Sequence, residues 1–142
     1  EEAVMSALEI IDPSSDAYKA VEVGIQNKNK PASNLHDHYG DMSPVHSLNN
    51  LSVVVWAFLS FQDSFDEAIG ETICCGWDTD CTGATVGGLL GLDKGTIPTA
   101  WTEPWQGRVF TAIAGVGELD LDHLVKRTCT LVEKFSSSPE LT

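Results

Sequence analysis

Gly76-Trp77-Asp78-Thr79-Asp80-Cys81-Thr82-Gly83, continued by Ala84-Thr85-Val86-Gly87-Gly88-Leu89-Leu90-Gly91, is the stretch whose reading decides the chain. Two carboxylates one residue apart, with hydroxyls at Thr79 and Thr82, gather hard oxygen donors suited to Mg²⁺, Mn²⁺ or Ca²⁺. From Gly83, glycine recurs every four residues through Gly87 and Gly91, which leaves one face of a helix without side chains. Glycine costs roughly 1 kcal/mol per helical position relative to alanine, so the bare face is expected to admit a neighbouring helix closely. Membrane helices carry the same pattern, but Asp78, Asp80 and Asp93 argue against a span here.

Spacing separates the competing readings. An EF-hand loop needs oxygen ligands at its first, third and fifth positions, glycine at the sixth and a bidentate glutamate at the twelfth. Asp78, Asp80, Thr82 and Gly83 meet the first four demands, but the twelfth position is Leu89. A phosphate-cradling loop fails because the glycines are not followed by Gly-Lys-Ser/Thr. Asp78 or Asp80 acting only as a helix cap remains open beside the metal reading.

Upstream, Glu1 to Ile11 places Ala3, Val4, Ala7, Leu8 and Ile11 on one helical face, and Asp12-Pro13 stops it. Ser14 or Ser15 then caps a second helix with Tyr18, Val21 and Ile25 on one side. Residues 26–44 are polar, with prolines toward both ends, and are expected to form a long loop. The loop contains His36-Asp37-His38, which lie on no regular face and are read as solvated rather than metal-ligating. Leu51 to Phe61 is apolar at helical spacing, and Asn49 or Asn50 would cap it. Ser64-Phe65-Asp66-Glu67 is a capping box, opening a helix that turns Phe65, Ala68, Ile69 and Ile73 inward and delivers the chain to Asp78.

Downstream, Gly95 to Gly107 is a Pro- and Trp-rich connection, with Ile97, Trp101 and Trp105 expected over the core. The last helix starts near Asp120 or Asp122, burying Leu124, Val125, Thr128, Leu131, Val132 and Phe135. Residues 136–142 read as a frayed tail.

With 142 residues the chain amounts to one domain, long enough to bury a core. No apolar run is long enough to span a membrane. Eight basic against 21 acidic residues give a net charge of −13, which argues against direct nucleic-acid binding, since few cations are available to displace phosphate counterions. Cys74, Cys75, Cys81 and Cys129 have neither zinc-site spacing nor the density of a disulfide scaffold. Reduced thiols in a cytoplasmic protein are the simplest expectation, with Cys74 and Cys75 as small buried hydrophobes.

Gly-Trp-Asp-Thr-Asp-Cys-x-Gly-Ala-Thr-Val-Gly, followed by Ile97-Pro98 and Trp101, resembles the C-terminal signature of the ADP-ribosylglycohydrolase family. Val45-His46-Ser47-Leu48-Asn49-Asn50, running into Val53-Val54-Val55-Trp56-Ala57, is similar to the segment one helix pair earlier in that family. Glu103-Pro104, Arg108 and Ala114-Gly115 extend the likeness downstream.

The resemblance implies an all-α multi-helix domain that uses two Mg²⁺ or Mn²⁺ ions to hydrolyse ADP-ribose from a protein, nucleotide or small molecule. It makes Asp78 and Asp80 metal ligands, with Thr82 as a further oxygen donor because Cys81 stands where the family has a hydroxyl ligand. His46 and Asn50 would contact the substrate. Neither the family's Gly-Asp-x-x-Gly opening nor its Thr-Asp-Asp run occurs in the sequence. The chain is therefore expected to be the C-terminal portion of such a domain, partnered by a missing N-terminal half that carries the catalytic acid, and inactive alone. A non-catalytic ADP-ribose-binding module and a structural helical module, with Asp78 and Asp80 as mere caps, are the alternatives.

Overall fold

Capping residues and prolines set the limits of most elements in the computed structural model, which describes residues 1–136. Eight α-helices and one two-stranded sheet occur among the described residues, so the architecture is helical as expected. The chain divides into two units, Glu1–Ile97 and the part from Pro98 onward.

The first unit comprises α1 (Glu2–Ile10), α2 (Asp16–Gln26), α3 (Ser33–Tyr39), α4 (Ser47–Ser60), α5 (Phe65–Cys75) and α6 (Thr79–Lys94). Ser15, rather than Ser14, caps α2 by accepting the Tyr18 N–H at 3.1 Å. Helix α4 lies at the centre, packing on α2, α5 and α6. Val53, Trp56 and Ala57 of α4 join Leu35, Ala68, Val86 and Leu90 in the main core. Burying a side chain as large as Trp56 contributes roughly 2–3 kcal/mol, and its indole N–H donates to the Lys30 carbonyl at 3.0 Å. Val4 and Leu8 of α1 pack over a smaller cluster of Val21, Val55 and Leu59.

The bare stripe on α6 does what its spacing predicts. A Cβ at Gly83 would meet Ile73 Cδ1 at 3.0 Å, and one at Gly87 would meet Ile69 Cδ1 at 3.3 Å, so α5 lies directly on it. Gly91 instead faces Ile97. A tighter approach was not evident beforehand: a Cβ at Gly24 would stand 2.7 Å from Val55 Cβ and 2.9 Å from the Ser52 carbonyl, which brings α2 hard against α4. The Ser52 hydroxyl seals that crossing by donating to the Ala20 carbonyl at 2.7 Å.

Four expectations in this unit need correction. The long loop over 26–44 contains helix α3, because Ala32, Leu35 and Tyr39 are spaced three and four apart and Leu35 is fully buried in the main core. Helix α4 starts at Ser47, with His46 rather than Asn49 or Asn50 at its N-cap. At α5, Ser64 Oγ accepts the Glu67 N–H, but the Ser64 N–H goes to the Phe61 carbonyl, so only half of the capping box forms. Ile73 is 44% exposed although its Cδ1 lies against Gly83, and Cys74 is exposed. Of Cys74 and Cys75, only Cys75 is buried.

The second unit comprises α7 (Thr99–Thr102), a 3₁₀ turn at Glu103–Trp105, strands β1 (Arg108–Phe110) and β2 (Glu118–Asp120), and α8 (Leu121–Ser136). The antiparallel strands were not expected; they pair Val109 with Leu119 and are clasped by Arg108 Nε donating to Glu118 Oε1 at 2.7 Å. Asp120 caps α8, accepting the His123 N–H at 2.9 Å. The stripe expected to be buried on α8 is largely open, with Val132 58% and Phe135 56% exposed, and Trp101 and Trp105 are exposed as well. Two three-residue strands cannot cover a sixteen-residue helix. The expected frayed tail lies, beyond Ser136, outside the described residues.

Candidate metal centre

The turn from α5 into α6 is built from two consecutive left-handed residues, Gly76 (φ 85°) and Trp77 (φ 59°). Glycine tolerates this conformation; a tryptophan adopts it only when its surroundings hold it there. Those surroundings come from α3. The His36 ring stacks on the Trp77 indole with centroids 4.1 Å apart, and Tyr39 meets the same indole edge-on at 6.5 Å. His36 Nε2 also lies 2.7 Å from the Cys75 carbonyl, one of the acceptors that the end of α5 leaves without a helical partner.

Immediately after this turn, Asp78 occupies the N-cap position of α6, yet its side chain makes no capping hydrogen bond. The carboxylate is held from α4 instead: Asn50 Nδ2 donates to Asp78 Oδ2 at 3.2 Å. Asp78, Asp80 and Cys81 each present a potential ligand atom, all within 4.8 Å of one another. Asp80 and Cys81 are exposed and Asp78 is half-buried, so the cluster opens to solvent. Among the described residues no lysine or arginine pairs with either carboxylate.

Electrostatics divides the three groups by role. The Asp80 carboxyl is held below the usual carboxylate range, first by its hydrogen bond with Asp78, then by the N–H groups of Asp80 and Cys81 at the start of the helix. The Cys81 thiol is pushed up, mainly by donating to Asp78 and then by the negative charge around it. A protonated thiol is a poor ligand for a hard cation. Two carboxylates without a basic partner, open to solvent, fit Mg²⁺ or Mn²⁺, ions that commonly take one or two carboxylates and fill the rest of their shell with water.

The remaining residues named from the sequence are placed as follows. Thr82 is 1% exposed, and its hydroxyl donates to the Asp78 carbonyl at 2.9 Å, so it braces the first turn of α6 from inside. His46 is exposed, with Nδ1 accepting the Leu48 N–H at 3.2 Å. Asn50 faces Asp78, and its Oδ1 is buried with no hydrogen-bond partner. Fully buried Asn49 orients it, accepting the Asn50 N–H at 2.8 Å and donating to the Ser43 carbonyl at 3.1 Å. The part played by His36 was missed; the periodicity of Ala32, Leu35 and Tyr39 was the available signal.

Comparison with curated proteins gives no significant match, and comparison with solved structures gives none either. The family model of ADP-ribosylglycohydrolase matches residues 1–136. That extent covers most of the chain and lends no support to the narrower expectation that only a C-terminal half is present. With the helical architecture and the acidic turn at the head of α6, it makes the chain a member of the ADP-ribosylglycohydrolase family.

Proposed function

We propose that this protein acts in the hydrolytic removal of ADP-ribose from a modified protein, nucleotide or small molecule, with Asp78 and Asp80 as ligands to a Mg²⁺ or Mn²⁺ ion. Family membership supports the hydrolase class. The observation that carries the metal assignment is the convergence of the Asp78 and Asp80 carboxylates at an open position, with Asp78 unused as a cap.

A divalent cation held by Asp78 and Asp80 would supply Lewis acidity toward ribose hydroxyls and water. The chain's own residues do the rest of what can be assigned. Asn50 fixes one oxygen of Asp78 from α4. Asp80, whose carboxyl is held below the usual range, stays available as an anionic ligand well below neutral pH. Thr82 stiffens the turn that carries both carboxylates.

No second set of three His, Cys, Asp or Glu ligands comes together among the described residues. A binuclear centre would therefore draw its other ligands, and its catalytic acid, from a second segment bearing the family's Thr-Asp-Asp run. The 142-residue chain by itself is then expected to bind metal weakly and release no ADP-ribose. Cys81 in place of a hydroxyl ligand favours a second reading, an ADP-ribose-binding module without turnover.

Mn²⁺ titration followed by water-proton relaxation, with Asp78→Asn and Asp80→Asn as references, tests the metal assignment. An assay for released ADP-ribose on the chain and on any longer form separates the two readings. Metal binding that is unchanged in both variants would sink the first; nucleotide affinity without turnover in a longer form would establish the second.

A further inference from the structure

We infer that His36 is a positioning residue for the metal-binding carboxylates, clamping the strained turn that aims Asp78; this rests on the metal reading above. His36 touches neither Asp78 nor Asp80. It acts on the two residues before them, through its contact with the Cys75 carbonyl at 2.7 Å and its stack on Trp77 at 4.1 Å.

Three observations bring the roles together. Trp77 is a bulky residue at φ 59°, a conformation that persists only when neighbouring groups over-determine it. Because a carbonyl only accepts, His36 donates its Nε2–H to Cys75, and the same ring lies on the indole, so one side chain grips both Cys75 and Trp77 in the turn before Asp78. Finally, the Asp78 side chain makes no capping bond; Thr82 ties the Asp78 carbonyl into α6, the Trp77 turn fixes the residue from its N-terminal side, and Asn50 holds the carboxylate from α4. Helix α3 is anchored independently by Leu35 in the core, which makes it a fixed platform for the clamp. Partners that hydrogen-bond a metal ligand directly change affinity by about 10- to 100-fold when removed; His36 acts one residue further back, so the lower end of that range is expected.

The two halves of the clamp can be separated by substitution. His36→Phe keeps a ring over Trp77 and loses the bond to Cys75; His36→Gln keeps a donor and loses the stack; His36→Ala loses both. Mn²⁺ affinity of the full chain is measured by water-proton relaxation, with near-ultraviolet circular dichroism reporting Trp77 by difference against Trp77→Phe and thermal melting reporting the fold. The expected result is a loss of about 10-fold in Mn²⁺ affinity for His36→Ala, with partial recovery in Phe or Gln, a changed Trp77 signature, and melting close to that of the parent. Parent-like Mn²⁺ affinity in all three variants overturns the role of His36 while leaving the metal site standing. A parent chain that binds no Mn²⁺ overturns both. Should His36→Ala fail to fold, the Phe and Gln variants decide on the same criterion.

Discussion

Asn50 and Asp78 lie 28 positions apart in sequence, and their side chains meet at 3.2 Å, joining the first turn of α4 to the start of α6. The bond is unusual in cost and benefit. Its donor serves a carboxylate, while the other end of the same amide, Oδ1, is buried with nothing to accept from. A hydrogen bond to a charged group contributes roughly 1.5–3 kcal/mol, and a buried unpaired acceptor costs about 1–3 kcal/mol.

The two effects oppose one another, so Asn50→Ala is expected to change stability by under about 1.5 kcal/mol. Its effect on metal should be larger, about 10-fold weaker Mn²⁺ binding, because Asp78 loses its tether. Urea unfolding and Mn²⁺ titration on the same preparation check the pair of outcomes. A large stability loss with unchanged affinity would assign Asn50 to packing alone.

Glycines of equal helix propensity should respond in opposite directions. Gly24→Ala drives a methyl into Val55 and the Ser52 carbonyl and is expected to destabilise by about 1–3 kcal/mol, backbone being unable to yield. Gly70→Ala and Gly88→Ala meet nothing within 4 Å and are expected to stabilise by about 0.5–1 kcal/mol. Denaturant midpoints at constant m-value report all three.

Thiol chemistry distinguishes the four cysteines. Burial pushes the Cys75 thiol up to about 11, so in the native protein it should resist alkylation at pH 8, while the exposed Cys74 and Cys129 react. Cys81, exposed but pushed up by Asp78, should react more slowly than those two and speed up in Asp78→Asn. The folded state holds the Cys75 proton more tightly than the unfolded chain does. Its contribution to stability is thus complete below the free-thiol value of about 8.5 and is lost as pH rises toward about 11. Cys75→Ala should flatten that alkaline limb.

Asp80 works at the other end of the scale. Its folded-state value is depressed by Asp78 and the helix-end N–H groups, so its contribution is present above the unfolded value of about 3.9 and disappears as pH falls through the folded one. Acid unfolding of Asp80→Asn, compared with the parent below about pH 4, should show a shallower loss. Added salt should narrow the difference, since the group is exposed.

Much of this protein was written locally. Helix α5, the Asp12-Pro13 stop, the glycine stripe and its close partner, and the Asp-x-Asp at the head of α6 each depend on neighbours within a few turns, so spacing and capping chemistry reveal them. The family likeness followed from the same short motif. Helix α3 escaped because its three apolar residues are scattered among polar ones and become decisive only when Leu35 finds the core.

The linear order of residues determined that two carboxylates would stand beside one another before a bare-faced helix. Only the tertiary structure decided what aims them: Asn50 came free to tether Asp78 because His46 took over the cap of α4, and His36 reached the Trp77 turn from a segment that reads as loop. It also left the apolar stripe of α8 open, which helical periodicity alone marks for burial. Periodicity records which residues share a face, whereas contacts between residues 28 or 39 positions apart depend on how helices cross, and crossing is set by packing at places such as Gly24 and Gly83.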